Sequence, residues 1–338
     1  MPALARFRSL RRDEDGELER AAERMPRPVA FFWGALALLT AAWALHEAFS
    51  FGGQGTDDFF HAWVNAAILW GSALICLGGA FSERRGRAAW ILVAAGLTSW
   101  ALADTIWSIR FEGATDIPVT SASDGFWIAW YPLIVVALAL LVRDRVPKFE
   151  LHRWIDGVVV MLILATPWVA LFLEPVSDRS TATAASEGVE FFYVLGDAII
   201  VGAVVGVYAL MGWRPGRMWL LLGLGLTILA LGDAVYSVQI LEHAYHLGGE
   251  WDVTWAVGSL LIAYAAWEPH PGRLDVQPVT GWRAIALPVA AQIFAIAIQI
   301  YAFFDELARS ERVLTVLVLM IAVIQIIVAR PRAEADED

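Results

Sequence analysis

Ten apolar runs, each about as long as a membrane-spanning helix, follow one another along this chain of 338 residues. A helical span takes about 20 residues, so no stretch between the runs leaves room for a soluble domain of about 100 residues. Hydrophobic residues make up 59% and charged residues 17% of the chain, against about 45–50% and 25% in globular proteins. The sequence therefore predicts an all-α integral membrane protein in a lipid bilayer, with about ten transmembrane helices. The runs lie near 29–48, 59–80, 88–109, 125–142, 154–173, 190–211, 217–240, 253–268, 282–303 and 312–329.

The distribution of Lys and Arg predicts which way these helices run. If the chain crosses the membrane at every run, 20 of its 24 Lys and Arg residues fall on one side. Cytoplasmic loops of membrane proteins carry an excess of Lys and Arg. We therefore expect both termini in the cytoplasm and the protein in the plasma membrane. The four exceptions are Arg110, Arg179, Arg309 and Arg312.

The chain contains an internal repeat. Residues 90–108 and 219–237 are identical at nine of 19 positions, and Asp104 matches Asp233. Apolar bias alone gives about three or four identities and does not supply an aspartate. Shorter matches on either side keep similar offsets, so the first four runs are duplicated as the next four. Because four spans return the chain to its starting side, the two units share one orientation.

This pattern predicts two parallel four-helix repeats followed by two further helices. The predicted segments are a basic cytoplasmic N-terminal segment (1–28), the first repeat (29–142), a cytoplasmic linker (143–153), the second repeat (154–268), two additional helices (269–329) and an acidic cytoplasmic tail (330–338).

Polar residues recur at one depth in both units, in the half of the membrane nearer the outside. Asp104 lies six residues before Arg110, which is roughly 9 Å along a helix that rises 1.5 Å per residue. Asp233 takes the same place in the second unit. The predicted outer site consists of these two aspartates and of neighbours at the same level, namely Asn65, Asp197, His61, Tyr193, Trp107, Tyr236, Asp124, Trp127, Asp252 and Trp255.

Two interpretations of these residues stay open. An aspartate at the centre of a span costs roughly 2.5–3.5 kcal/mol, and it normally faces protein or a water-filled cavity. The site is then a cleft open to the outside that binds a small ligand or a cation, or senses protons. Alternatively, Asp104 and Asp233 join helices by hydrogen bonds to amide, hydroxyl or indole groups. For Asp124 and Asp252, which begin their helices, N-capping is a further alternative.

The sequence lacks the signatures of several common functions. The single lysine, Lys148, lies in a loop, which excludes a retinal Schiff base within the bundle. No Gly-rich phosphate loop, H-E-x-x-H or G-x-S-x-G motif occurs, so we predict no enzyme activity, no cofactor and no nucleic-acid partner. His243 and His246 are three residues apart, but two histidines in an interfacial loop are a weak metal signal. No metal site is predicted.

The third and fourth runs carry the pattern Gly96-Leu97-x4-Leu102-Ala103-Asp104-x2-Trp107, then a short loop, then Asp124-x2-Trp127-x3-Tyr131-Pro132-Leu133. This pattern resembles the membrane-integral sensory region of actinobacterial GGDEF and GGDEF-EAL proteins, over about residues 30–330. The resemblance implies a sensory bundle in a bacterial inner membrane, whose last helix leads into a domain that makes or degrades cyclic di-GMP. This sequence departs from the family after Arg330, because neither catalytic signature follows. Cyclase activity is therefore not carried over.

The sequence favours a multi-pass module for sensing and signal transduction. In this hypothesis, a ligand, ion or proton in the outer cleft changes the packing between the two repeats and so reaches a cytoplasmic signalling partner. The alternative is a transporter or channel subunit that uses the same carboxylates for coupling, and a scaffold without a ligand is a third. The transporter alternative predicts a continuous polar path to the cytoplasm.

Overall fold

The structure is a computed structural model that describes residues 25–49, 56, 59–82, 86–111, 121–143, 184–211, 213–241 and 251–269. The described residues form seven helices and no strand. The helices are α1 (Arg27–Phe49), α2 (Asn65–Ser82, preceded by a π-helical segment, Phe59–Val64), α3 (Arg87–Phe111), α4 (Ala122–Arg143), α5 (Ala184–Leu210), α6 (Gly216–Leu241) and α7 (Val253–Ala265).

Seven of the ten predicted runs fall on these helices, and each of the seven is helical. The eighth run was predicted to reach residue 268, but α7 ends at Ala265 and the chain continues in turns. Several predictions fall on residues outside the described ranges. They include the fifth, ninth and tenth runs (154–173, 282–303 and 312–329), most of the N-terminal segment and of the linker, the acidic tail, and the pair His243 and His246.

Five helices are long and apolar enough to cross a membrane, namely Arg27–Phe49, Phe59–Ser82, Arg87–Phe111, Ala122–Arg143 and Gly216–Ser237. Shorter apolar stretches occur in α5 and α7. Large apolar side chains point outward from the helices, including Phe31 at 81% and Ile109 at 77% exposure. A helix satisfies its backbone hydrogen bonds internally, as hydrocarbon surroundings require. The described chain therefore has the helices and the apolar surface of a membrane protein.

Six of the helices pack as a closed ring. Each helix from α2 to α6 packs on the next one along the chain, and α7 returns to pack on α2. Helix α1 lies against α2 and α7. Two tryptophans form hydrogen bonds around this closure. Trp33 Nε1 on α1 donates to the Leu260 carbonyl on α7 at 3.0 Å, and Trp267 Nε1, just after α7, donates to the Ile75 carbonyl on α2 at 2.9 Å. The ring therefore joins the first described helices to the last.

One hydrophobic core connects α2 through α7. It includes Trp90, Leu97, Ile134, Leu222 and Trp219, each with only 1% of its surface exposed. In a bilayer, lipid is as apolar as these side chains, so helices associate through close packing and interhelical hydrogen bonds. Small residues that let two backbones approach are consequently important for this fold.

Glycines allow α6 and α7 to approach closely. A Cβ atom added at Gly225 would lie 2.7 Å from the carbonyl oxygen of Gly258, and one added at Gly258 would lie 2.8 Å from the carbonyl oxygen of Gly225. Both distances are too short, and in both cases the obstacle is backbone. The two helices therefore meet at a pair of positions that only glycine fits.

We expect Gly225→Ala to lower the thermal unfolding temperature of the purified protein in detergent. The new methyl group meets backbone that cannot rotate away, and overpacking of this kind costs about 1–3 kcal/mol. Unfolding can be followed by tryptophan fluorescence. Gly34→Ala in α1 is the matched control, because nothing lies within 4 Å of a Cβ atom there. Equal losses in the two variants would contradict the proposed contact.

Candidate functional site

A cavity of about 180 Å³ lies among the helices, at the end of the ring where α4 and α7 begin. Eleven of the twelve residues predicted for the outer site line it, and all seven helices contribute to its wall. These eleven are His61, Asn65, Asp104, Trp107, Asp124, Trp127, Tyr193, Asp233, Tyr236, Asp252 and Trp255. We call this space the acidic cavity.

Asp197 is the one predicted residue that does not line the acidic cavity. It is buried on α5, with 4% of its surface exposed. Its Oδ1 atom accepts a hydrogen bond of 3.2 Å from the hydroxyl group of Tyr131, and Tyr131 does line the cavity. Asp197 therefore lies one side chain away from the space in which it was expected.

Helical spacing explains how α3 and α6 present their polar groups. Residues four apart lie on one face of an α-helix, so Trp100, Asp104 and Ser108 reach the cavity together from α3. Asp233 and Ser237 do the same from α6. His61 lies in the π-helical segment, where the wider turn changes the facing of the side chains, and Asn65 begins α2 directly after it.

The Asp104 carboxylate accepts hydrogen bonds on both oxygens. Trp127 Nε1 on α4 donates to Oδ1 at 2.8 Å, and Asn65 Nδ2 on α2 donates to Oδ2 at 3.1 Å. The interhelical bonds considered from the sequence are thus present. Asp104 joins three helices while it also lines the acidic cavity.

Only one oxygen of the Asp233 carboxylate accepts a hydrogen bond from a described residue. Trp255 Nε1 on α7 donates to Oδ1 at 2.9 Å, which repeats the bond between Trp127 and Asp104. Among the described residues, no group donates to Asp233 Oδ2. The two matched aspartates therefore differ, because Asp104 has a donor on each oxygen and Asp233 has one on Oδ1 only.

Asp124 is not the N-cap residue of α4. That position belongs to Ser121, whose Oγ accepts a bond from the Ser123 N–H at 3.1 Å, while the Ser121 N–H donates to Asp124 Oδ2 at 2.6 Å. This is a reciprocal capping box. The other oxygen of Asp124 accepts a bond of 2.6 Å from the hydroxyl group of Tyr193 on α5. Asp252 does occupy the N-cap position of α7, but its side chain makes no capping hydrogen bond.

Glu47 on α1, which the sequence analysis missed, contacts two residues of the cavity wall. Glu47 Oε1 accepts a bond from Trp43 Nε1 at 2.7 Å and contacts His61 Nε2 at 2.8 Å. Trp43 and His61 both line the acidic cavity. Glu47 is a weaker sequence signal than Asp104, because it stands at the end of its apolar run and its partner His61 lies on another element. The other lining residues missing from the predicted site are Ala62, Trp100, Ser108, Tyr131 and Ser237.

Aromatic rings form much of the remaining wall. Trp107 packs on Trp127 with ring centroids 5.7 Å apart, and Tyr236 packs on Trp255 with centroids 6.1 Å apart. Each pair places an aromatic neighbour beside the tryptophan that donates to an aspartate. The two halves of the cavity are therefore built alike, with a carboxylate next to a pair of rings.

The ionisable side chains that line the acidic cavity are almost all acidic. Asp104, Asp124, Asp233 and Asp252 line it, and among the described residues no lysine or arginine does. His61 is the only basic side chain in the lining, and it already contacts Glu47. In the described part of the chain, no group of three or more His, Cys, Asp or Glu side chains is arranged to hold a metal ion. The acidic lining is suited to attracting positive charge.

Comparisons with protein-family models, with curated proteins and with solved structures found no match to this chain. Function has to be argued from the chemistry of a site and not from the fold. The acidic cavity is therefore the basis of the function proposed below, and the resemblance to sensory regions of cyclic di-GMP proteins stays a proposal.

Proposed function

We propose that this protein is a multi-pass membrane sensor that binds a small ligand in the acidic cavity and transmits the signal through the helix ring. The observation that carries this proposal is that all seven described helices contribute side chains to one cavity. A ligand shifts a conformational equilibrium by as much as its affinity differs between the two states. A ligand in this space touches every helix whose packing would have to differ.

Two duplicated units account for the ring in this proposal. Trp90 and Trp219, which are equivalent in the repeat, each expose 1% of their surface. Thr98 and Thr227 each donate to the carbonyl group four residues earlier at 2.8 Å. The bonds from Trp127 to Asp104 and from Trp255 to Asp233 match as well. With the runs outside the described residues, the proposed protein has ten spans in a 4+4+2 arrangement.

The proposal directs the acidic cavity toward the outside and both termini toward the cytoplasm. Arg27, Arg87, Arg143 and Arg217 all stand at helix ends remote from the cavity, and positively charged residues favour the cytoplasmic side. We call this the Arg end. A cytoplasmic signalling partner reads the Arg end in our proposal, as the resemblance to sensory regions implies.

The core between the cavity and the Arg end favours sensing over transport. The side chains of Leu97, Ile134 and Leu222 belong to one continuous apolar core there, and each exposes 1% of its surface. A transporter that used the cavity carboxylates would need a polar path through this region. The described helices offer packed hydrocarbon there, and in this proposal a signal passes through it as a change in packing.

The proposed signal can be measured as movement at the Arg end. Spin labels replace Phe81 on α2 and Leu220 on α6, both exposed near that end, in a Cys76→Ala background. We expect the distance between the labels, measured by pulsed electron paramagnetic resonance, to change on addition of sodium chloride, choline chloride or acid. The change should disappear in an Asp104→Asn/Asp233→Asn double variant.

An unchanged distance under all three additions would contradict the sensor. Uptake of the added cation into proteoliposomes, lost in the same double variant, would identify a transporter instead. A distance change that persists in the double variant would show that the acidic cavity is not the origin of the signal.

A further inference from the structure

We propose that the ligand of the acidic cavity is a small organic cation, whose ammonium group pairs with Asp233 and whose carbon groups contact the aromatic wall. This inference rests on the proposed function, because it specifies the ligand of the same cavity. Three properties of the cavity carry it, namely its charge, its aromatic lining and the difference between its two matched aspartates.

The charge of the cavity selects a cation. Four aspartates line it, and no lysine or arginine among the described residues opposes them. Carboxylates removed from water are unfavourable unless a partner compensates their charge. An anionic ligand would add to the repulsion between them, and a neutral one would leave it unchanged. A cation is the ligand that relieves it.

The lining selects an organic cation over a metal ion. Calcium takes six to eight oxygen ligands, whereas the described residues contain no group of even three candidate metal ligands. Trp and Tyr faces attract cations within about 6 Å of the ring, and aromatic cages are a known means of holding ammonium groups. Trp107, Trp127, Tyr236 and Trp255 supply such faces beside the carboxylates.

The size of the cavity agrees with this choice. An apolar cavity of about 150 Å³ inside a protein admits benzene, and the acidic cavity measures about 180 Å³. A small quaternary or primary amine with a few carbon atoms therefore fits, together with water at its polar end.

The repeat shows which aspartate binds the cation. In the first unit, Asn65 donates to the second oxygen of Asp104. The equivalent residue in the second unit is Asp197, a carboxylate that cannot donate when it is ionised. Asp197 is buried, with 4% of its surface exposed, and accepts a hydrogen bond from Tyr131. Asp104 thus has a donor on each carboxylate oxygen, although Asn65 Oδ1 itself lacks a partner among the described residues. Asp233 has a donor on one oxygen only, and its unit carries Asp197 as an additional buried acid.

A cation at Asp233 supplies the missing donor. Its N–H or N–CH₃ groups meet Oδ2, for which no donor exists among the described residues, while Trp255 keeps Oδ1 in place. Asp197 is linked to the cavity through Tyr131, which donates a hydrogen bond to Asp197 and lines the cavity. The second unit is therefore the cation-binding half, and the first unit is the structural half.

Choline and its neutral isostere 3,3-dimethylbutan-1-ol test the assignment on the unaltered protein. The two probes have nearly the same shape and differ in charge. Binding to protein in lipid nanodiscs is followed by the fluorescence of the cavity tryptophans and by calorimetry. We expect choline to bind at least about tenfold more tightly than the alcohol, since one desolvated cation–π contact alone accounts for about that factor.

Matched variants then locate the charge. Asp233→Asn should raise the dissociation constant of choline on the order of 100-fold, as loss of one partner of a buried charge pair does. Asp104→Asn alters the equivalent position and should raise the dissociation constant less than about tenfold, because both Asp104 oxygens already accept a bond, one from Asn65 and one from Trp127. Thermal unfolding reports whether each variant is folded.

Equal binding of choline and the alcohol would overturn the assignment, and it requires no variant. Equal losses in Asp104→Asn and Asp233→Asn would overturn the choice of Asp233. The proposed sensing fails separately: if choline binds as expected while the labels at Phe81 and Leu220 do not move, the ligand class stands and the signalling role is lost.

Discussion

Exchange of Asn65 and Asp197 is expected to move the cation-binding carboxylate from Asp233 to Asp104. In the Asn65→Asp/Asp197→Asn double variant, an amide replaces the buried acid on α5, and an acid that no longer donates to Asp104 replaces the amide on α2. The second unit then has the Asn–Asp–Trp arrangement that the first unit has now. The net charge of the protein stays the same, so a general change in potential cannot produce the result.

The single variants give the expected magnitudes. Asp197→Asn alone removes one buried acid from the second unit, so choline affinity should fall by on the order of 10- to 100-fold. The double variant should recover to within about tenfold of the original affinity. Calorimetric titration in nanodiscs measures all three proteins under one set of conditions.

A third substitution in the exchanged protein completes this test. There, Asp104→Asn should abolish choline binding and Asp233→Asn should have little effect, which reverses the order expected for the natural sequence. If choline binding still depended on Asp233 after the exchange, the number of hydrogen-bond donors on each carboxylate would not be what distinguishes the two aspartates.

Glu47→Ala is expected to lower the free energy of unfolding by about 3 kcal/mol, because it removes the acceptor shared by two buried donors. Trp43 Nε1 and His61 Nε2 both meet Glu47 Oε1, at 2.7 and 2.8 Å. The side chains of Glu47 and His61 are only 10% exposed, so water replaces the lost contacts poorly. Chemical unfolding in mixed micelles, followed by tryptophan fluorescence, measures the loss.

Glu47→Gln is the control for this prediction. The amide oxygen can still accept from Trp43 or His61, so we expect less than half the destabilisation of Glu47→Ala. Choline affinity should fall in the alanine variant as well, because Trp43 and His61 form part of the cavity wall. Equal stability of the two variants would show that the contact does not fasten α1 to the ring.

The positions of the helices could be predicted well from the sequence. The run predicted at 88–109 corresponds to Arg87–Phe111, and that at 125–142 corresponds to Ala122–Arg143. A segment that crosses the hydrocarbon of a bilayer must satisfy its backbone hydrogen bonds internally, which an α-helix does. The length of an apolar run therefore strongly constrains where a helix lies. Asp104 and Asp233 were found for the same reason, because a carboxylate in such a run is rare and its recurrence in a repeat is rarer.

Contacts between helices could not be predicted in the same way. The S-x-x-D pattern of Ser121 and Asp124 marks a capping box, yet only the structure shows Tyr193 bound to the other oxygen of Asp124. Glu47 was overlooked because its partner His61 lies 14 residues away on another element. Periodicity shows which face a residue occupies, whereas its partner depends on how the helices are arranged around the ring.

The closure of α7 on α2 has a consequence for how the protein is made. Trp267 donates to the carbonyl group of Ile75, 192 residues earlier in the chain. At a translation rate of about 5–20 residues per second, roughly 10–40 s separate the synthesis of these two partners. During that interval the helices that carry Asn65 and Asp104 are synthesised, whereas α7, which completes the wall of the acidic cavity, is not yet complete. Early helices with such polar faces are natural clients for an insertase or a lipid-phase chaperone that holds them until α7 emerges.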